Sequence, residues 1–181
     1  MLCRATDNTD AVKGGCPRHA GFTLLEVVIV AAILSIAAAL ALPMLRDTNL
    51  AQLRSGANLV IADLGYAQME SIAHASNPRV VTFDTSSNSY WIASQASPDT
   101  PITNPFDQQP YRVTFGYGRA YALAGVTLSA VSVGSGQQLG FGPYGQLDQT
   151  SNATITLKSG PHSIVITVDA TTGEASAGSL Q

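Results

Sequence analysis

Residues 22–42 form a run of 21 amino acids whose only polar members are Thr23, Glu26 and Ser35. As a helix rising about 1.5 Å per residue, this run spans roughly 31 Å, which matches the hydrocarbon thickness of a bilayer. A core helix of that length in a water-soluble protein keeps a polar face, and this one has none. The rest of the chain is therefore expected to fold as a body attached to an apolar anchor.

Three readings of the run compete. A secretory signal peptide has a basic start, an apolar middle of 7–15 residues and small residues at the cut that follows it. Ala39-Leu40-Ala41 would serve as that cut, but the run is long for a signal core and a glutamate near its start is out of place. A plain transmembrane anchor accounts for the length and leaves Glu26 unexplained. A charge near a bilayer centre costs about 2.5–3.5 kcal/mol, less towards the edge, so such a residue asks for a partner. The third reading starts from the stretch Gly21-Phe22-Thr23-Leu24-Leu25-Glu26. It resembles the class III prepilin signal of type IV pilins and type II secretion pseudopilins.

That resemblance implies a prepilin peptidase as partner. The peptidase would cut after Gly21 on the cytoplasmic face and methylate the new amino terminus, Phe22. It also implies that the apolar run stays in the mature protein and that Glu26 is the assembly charge. Phe22 and Glu26 stand i,i+4, on one helix face a turn apart. A new ammonium at Phe22 can pair with a carboxylate of its own chain or of a neighbouring subunit, which makes a charge tolerable in an apolar fibre core.

Pro43 follows the run directly. Inside a helix it removes one backbone bond and presses on the carbonyl of Ala39, so it is expected to kink the helix, with a plain helix end as the alternative. Beyond it, Leu50, Leu53, Ala57, Val60, Leu64 and Ala67 step by 3 or 4, forming one helical stripe. Arg46, Asp47, Arg54, Asp63 and Glu70 are read as lying largely off that stripe. The organisation expected is a leader at 1–21, a transmembrane helix at 22–45, an amphipathic helix at 46–76 and a β-rich domain at 77–181.

Asn77-Pro78 breaks the helix. Residues 79–84 and 89–93 then read as a hairpin about the turn at 85–88, and strands are expected at 111–117, 126–133, 138–142, 153–158 and 163–169, with a short one at the end. Residues 94–110 hold Pro98, Pro101, Pro105 and Pro110 and show little periodicity, so they read as an exposed loop. The fold class expected is α+β: a long N-terminal helix packed on a C-terminal antiparallel sheet or sandwich.

Leu64-Gly-Tyr-Ala-Gln-Met-Glu-Ser-Ile-Ala73, the hairpin bearing Tyr90-Trp91, and Phe141-Gly-Pro-Tyr-Gly145 followed by Ile155-Thr-Leu157 resemble GspH/FimT-type minor pseudopilins. The resemblance implies a structural subunit of a type II secretion pseudopilus in the bacterial inner membrane, with its β domain in the periplasm. Its partners would be other pseudopilins or pilins, packed through the N-terminal helix. The alternative is a minor pilin of a type IV pilus, including a competence pilin that takes up DNA. A membrane-anchored periplasmic enzyme is the remote third reading.

Catalytic and binding chemistry is sparse. His19, His74 and His162 are far apart, and both cysteines, Cys3 and Cys16, lie in the leader, so no metal ligand set or cofactor is expected. Asp99 and Asp107 match no calcium loop. Without residues 1–21 the chain keeps 6 of its 9 basic and 10 of its 12 acidic side chains, a charge of −4. Nucleic acid is not an expected partner of such a surface.

Overall fold

The computed structural model of the protein describes residues 23–41 and 48–181. The chain divides into two compact units, Met1–Pro43 and Met44–Gln181.

In the first unit, helix α1 spans Leu24–Ala41. Leu24, Leu25, Val27, Val28, Ile29, Val30, Ile33, Leu34 and Ile36 are all exposed, so the helix is apolar around its circumference. Such a helix needs lipid or other protein around it. Its 18 residues reach about 27 Å. Among the described residues no helix is long and apolar enough to cross a membrane. The 21-residue run read from the sequence begins and ends, at Phe22 and Leu42, outside the described residues, and so does Pro43.

The second unit opens with helix α2, Thr48–Ala73. Five of the six residues of its expected stripe form the buried face, with Leu53, Ala57, Val60, Leu64 and Ala67 each no more than 1% exposed, while Leu50 at the start of the helix is half-buried. Nine strands follow: β1 Arg79–Asp84, β2 Ser89–Ser94, β3 Ser97–Pro101, β4 Arg112–Thr114, β5 Thr127–Ser132, β6 Gln138–Gly140, β7 Ala153–Ser159, β8 His162–Val168 and β9 Ala175–Ala177. They form two antiparallel sheets. One runs β3-β2-β1-β6 with β4 also on β2, and the other runs β5-β7-β8-β9. Helix α2 lies against β1 of the first sheet and against β7, β8 and β9 of the second. The fold is thus α+β, with a helix packed on antiparallel sheets.

Alternation explains the second sheet. Ala153, Ile155 and Leu157 of β7 and Ile164, Ile166 and Val168 of β8 turn inward and join the core under α2. The two strands are linked through Gly160, whose φ of 57° suits a tight connection. In the first sheet β1 is central, paired on both sides, and its Val80, Val81, Thr82 and Phe83 are all buried.

One expectation is corrected. Residues 94–110 are not wholly loop, because β3 runs through Ser97–Pro101 and pairs with β2 at Ala93↔Pro101 and Ser94↔Ser97. A strand with two prolines survives only where ladder donors are dispensable, and β3 is an edge. Side chains add further tethers, because the Trp91 indole (2.8 Å) and the Thr82 hydroxyl (3.2 Å) both donate to the Pro98 carbonyl. The strand expected at 111–117 is also shorter, covering only Arg112–Thr114 before a 3-10 turn at Gly118–Leu123.

The β1–β2 turn is held by Asp84, whose carboxylate accepts hydrogen bonds from the hydroxyls and backbone N–H groups of Ser86 and Ser87. The Ser86 hydroxyl, then those from Ser87, hold this carboxyl well below the usual aspartate value of 3.8. A depressed pKa means that the turn's stabilisation is complete above 3.8 and is lost as pH falls through the lower folded value. The protection factors of the Ser86 and Ser87 amides, the slowing of exchange relative to the free chain at the same pH, are therefore expected to hold above pH 4 and to fall in stronger acid, with β7 and β8 protection unchanged. Uniform loss across both sheets would contradict this local account.

Candidate functional site

The start of α1 is organised by Thr23. Its Oγ1 accepts the Glu26 backbone N–H at 3.2 Å, and its carbonyl accepts those of Glu26 (3.1 Å) and Val27 (3.2 Å). This is an N-cap, and Thr23-x-x-Glu26 has the spacing of a capping box. Glu26 therefore sits in the first turn, where a negative charge complements the helix dipole. It is exposed, on a helix whose neighbouring side chains are apolar. Two steps of the expected chemistry, the cut after Gly21 and the methylation of Phe22, fall outside the described residues. Further along, the Ser35 hydroxyl donates to the Ala31 carbonyl at 2.7 Å, which hides its polarity within the helix.

A second constellation, not expected from the sequence, lies inside the other unit. Asp63 of α2 is only 4% exposed. The Tyr90 hydroxyl donates to its Oδ2 at 2.6 Å and the Tyr111 hydroxyl to its Oδ1 at 3.0 Å. The Arg119 guanidinium donates to Oδ2 as well. That guanidinium also lies 4.7 Å from the centre of the Tyr111 ring, and Tyr66 stacks on the same ring at 5.2 Å. The expectation that Asp63 falls off the buried stripe is corrected. Position 63 is i+3 from Val60 and i−4 from Ala67, so it shares their face, and that spacing was the available signal.

Burial pushes the Asp63 carboxyl above the ordinary aspartate value, against the opposing pull of Tyr90, the Arg119 charge and Tyr111. Burial, followed by the charge of Asp63, pushes the Tyr111 phenol up to about 12 and the Tyr90 phenol well above its ordinary value. Both phenols therefore stay protonated and donate. Burial is the largest single effect on Arg119 and opposes its charge, but Asp63, Tyr111 and Tyr90 together outweigh it, so Arg119 is also raised. With two phenols and a guanidinium bonded to one carboxylate, the cluster ties α2, β2, the segment before β4 and the 3-10 turn together. It has the geometry of a structural node.

His74 sits 3.3 Å from Glu70 at the end of α2, and His162 opens β8. Among the described residues no three His, Cys, Asp or Glu side chains come together as a metal site. Asp99 lies on the edge strand β3, and Asp107 accepts the Gln109 backbone N–H within a turn.

Residues 16–42 match the family described as the prokaryotic N-terminal methylation motif. No curated protein matches the chain. Two crystal forms of the type IV minor pilin FimU of Pseudomonas aeruginosa (strain PAO1) are similar in structure, each at 17% identity and a TM-score of 0.48. They cover 70% and 74% of this chain, and 93% and 90% of their own. The matched motif takes in the Thr23 cap, Glu26 and the whole apolar helix α1, so this segment of the chain is similar to prepilin-type N-terminal methylation segments.

Proposed function

We propose that the chain is a minor pseudopilin, a structural subunit of a type II secretion pseudopilus, anchored in the bacterial inner membrane with residues 46–181 in the periplasm. In this reading a prepilin peptidase cuts after Gly21 and methylates Phe22, Glu26 recruits the subunit into the fibre, and Pro43 bends the helix at its exit from the membrane. The observation that carries the reading is α1 itself, apolar on every side with a single acidic residue in its first turn. The subunit performs no catalysis and uses no cofactor.

Charge favours secretion over a DNA-capturing pilus. Of the five basic residues described, Arg79 pairs with Glu70, Arg119 with Asp63, and Arg112 lies over the Trp91 ring, while Arg54 and Lys158 are scattered. They face nine acidic residues in the described segments. A DNA-binding surface needs the opposite balance. Deleting the chain is expected to leave secreted enzymes trapped in the periplasm while transformation and surface pili persist. Normal secretion with lost transformation would establish the pilus reading instead.

A further inference from the structure

We propose that residues 104–109 form an anchoring knob that seats Phe106 in an apolar pocket of a protein partner. Phe106 is 90% exposed. Lone exposed apolar residues are ordinary, so exposure alone carries nothing. What distinguishes Phe106 is the construction beneath it.

The Asn104 N–H donates to the Gln109 carbonyl at 2.8 Å, and the Gln108 N–H donates to the Asn104 carbonyl at 2.9 Å. The buried Asn104 side chain accepts the Phe106 N–H at 3.0 Å, and Gln108 Nε2 reaches the Pro105 carbonyl at 3.1 Å. Gln108, not a glycine, is held at φ 58°. A left-handed side-chain-bearing residue persists only where its surroundings over-determine it, and such strain clusters at binding sites. The neck is equally fixed. Thr103 bridges Pro110, and the Tyr111 N–H donates to the Ile102 carbonyl at 2.7 Å, which sets the turn on the Asp63–Tyr111 node. A stiffly mounted aromatic loses little further freedom on docking, and buried aromatic anchors carry a disproportionate share of interface energy.

Charge selects the kind of partner. Asp107 adjoins Phe106, Asp99 lies on the neighbouring strand β3, and no Lys or Arg occurs between Arg79 and Arg112. Anionic lipid headgroups and nucleic-acid phosphates would both be repelled. A protein pocket with an apolar floor and a basic rim satisfies both residues of the knob. The inference holds for a secretion fibre and for a pilus alike.

The test uses the full chain in its native envelope with a benzophenone amino acid at position 106. A second chain carries the same probe at Tyr144, which is 88% exposed on a different turn. Irradiation should give one discrete protein adduct from position 106 and not from 144. Against the protein so identified, Phe106→Ser should bind roughly 30-fold more weakly, Phe106→Tyr should restore most of the affinity, and the cut before Phe22 should be unaffected. Lipid adducts alone, no protein adduct, the same adduct from position 144, or full binding by Phe106→Ser would each overturn the proposal.

Discussion

Asp63→Ala is expected to destabilise the β-bearing unit by about 3–5 kcal/mol, because removing one partner of a buried ion pair strands the rest. The substitution leaves the Tyr90 and Tyr111 hydroxyls and the Arg119 guanidinium without their shared acceptor. Asp63→Asn keeps the shape and part of the acceptor capacity and should cost less. Denaturant unfolding followed by Trp91 fluorescence measures both, since this is the chain's one tryptophan. A loss below about 1 kcal/mol for Asp63→Ala would show that the node does not hold the unit together. The pH dependence has a definite sign. A raised carboxyl contributes stability that is present below its ordinary value of 3.8 and lost as pH rises through the folded value. Acid therefore leaves Asp63 seated while it loosens the Asp84 turn.

Periodicity made most of the framework legible. The 3–4 spacing from Leu53 to Ala67 marked the buried face of α2, and the alternation around Ile155 and Ile166 marked β7 and β8. What escaped depends on partners distant in the chain. The Asp63 carboxylate finds its donors 27, 48 and 56 residues away, and no local pattern announces them. Edge strand β3 escaped because prolines usually signal loop, and the side-chain tethers to it come from Thr82 and Trp91. At the start of α1 the reverse holds. Thr23 and Glu26 are local, three residues apart, so the cap was within reach of the sequence although the sequence reading did not identify it.

Glu26→Gln carries the other large effect. The variant should be cut normally after Gly21 and retained normally in the membrane, because the carboxylate lies beyond the scissile bond. Its entry into fibres should fall by roughly a hundredfold, the equivalent of leaving the Phe22 ammonium unpaired in an apolar core. The ratio of mature protein in sheared fibres to that in membranes reads this out. A ratio equal to wild type would show that charge pairing does not recruit the subunit.

The mass of the mature amino terminus, taken from protein made alongside its prepilin peptidase, tests the whole account most directly. The account predicts a chain that begins at N-methyl-Phe22 and retains α1, in the wild type and in Glu26→Gln alike. A chain beginning at Leu42 or Pro43 would contradict it, because the apolar run would then be a discarded secretory signal and no subunit of this kind could assemble.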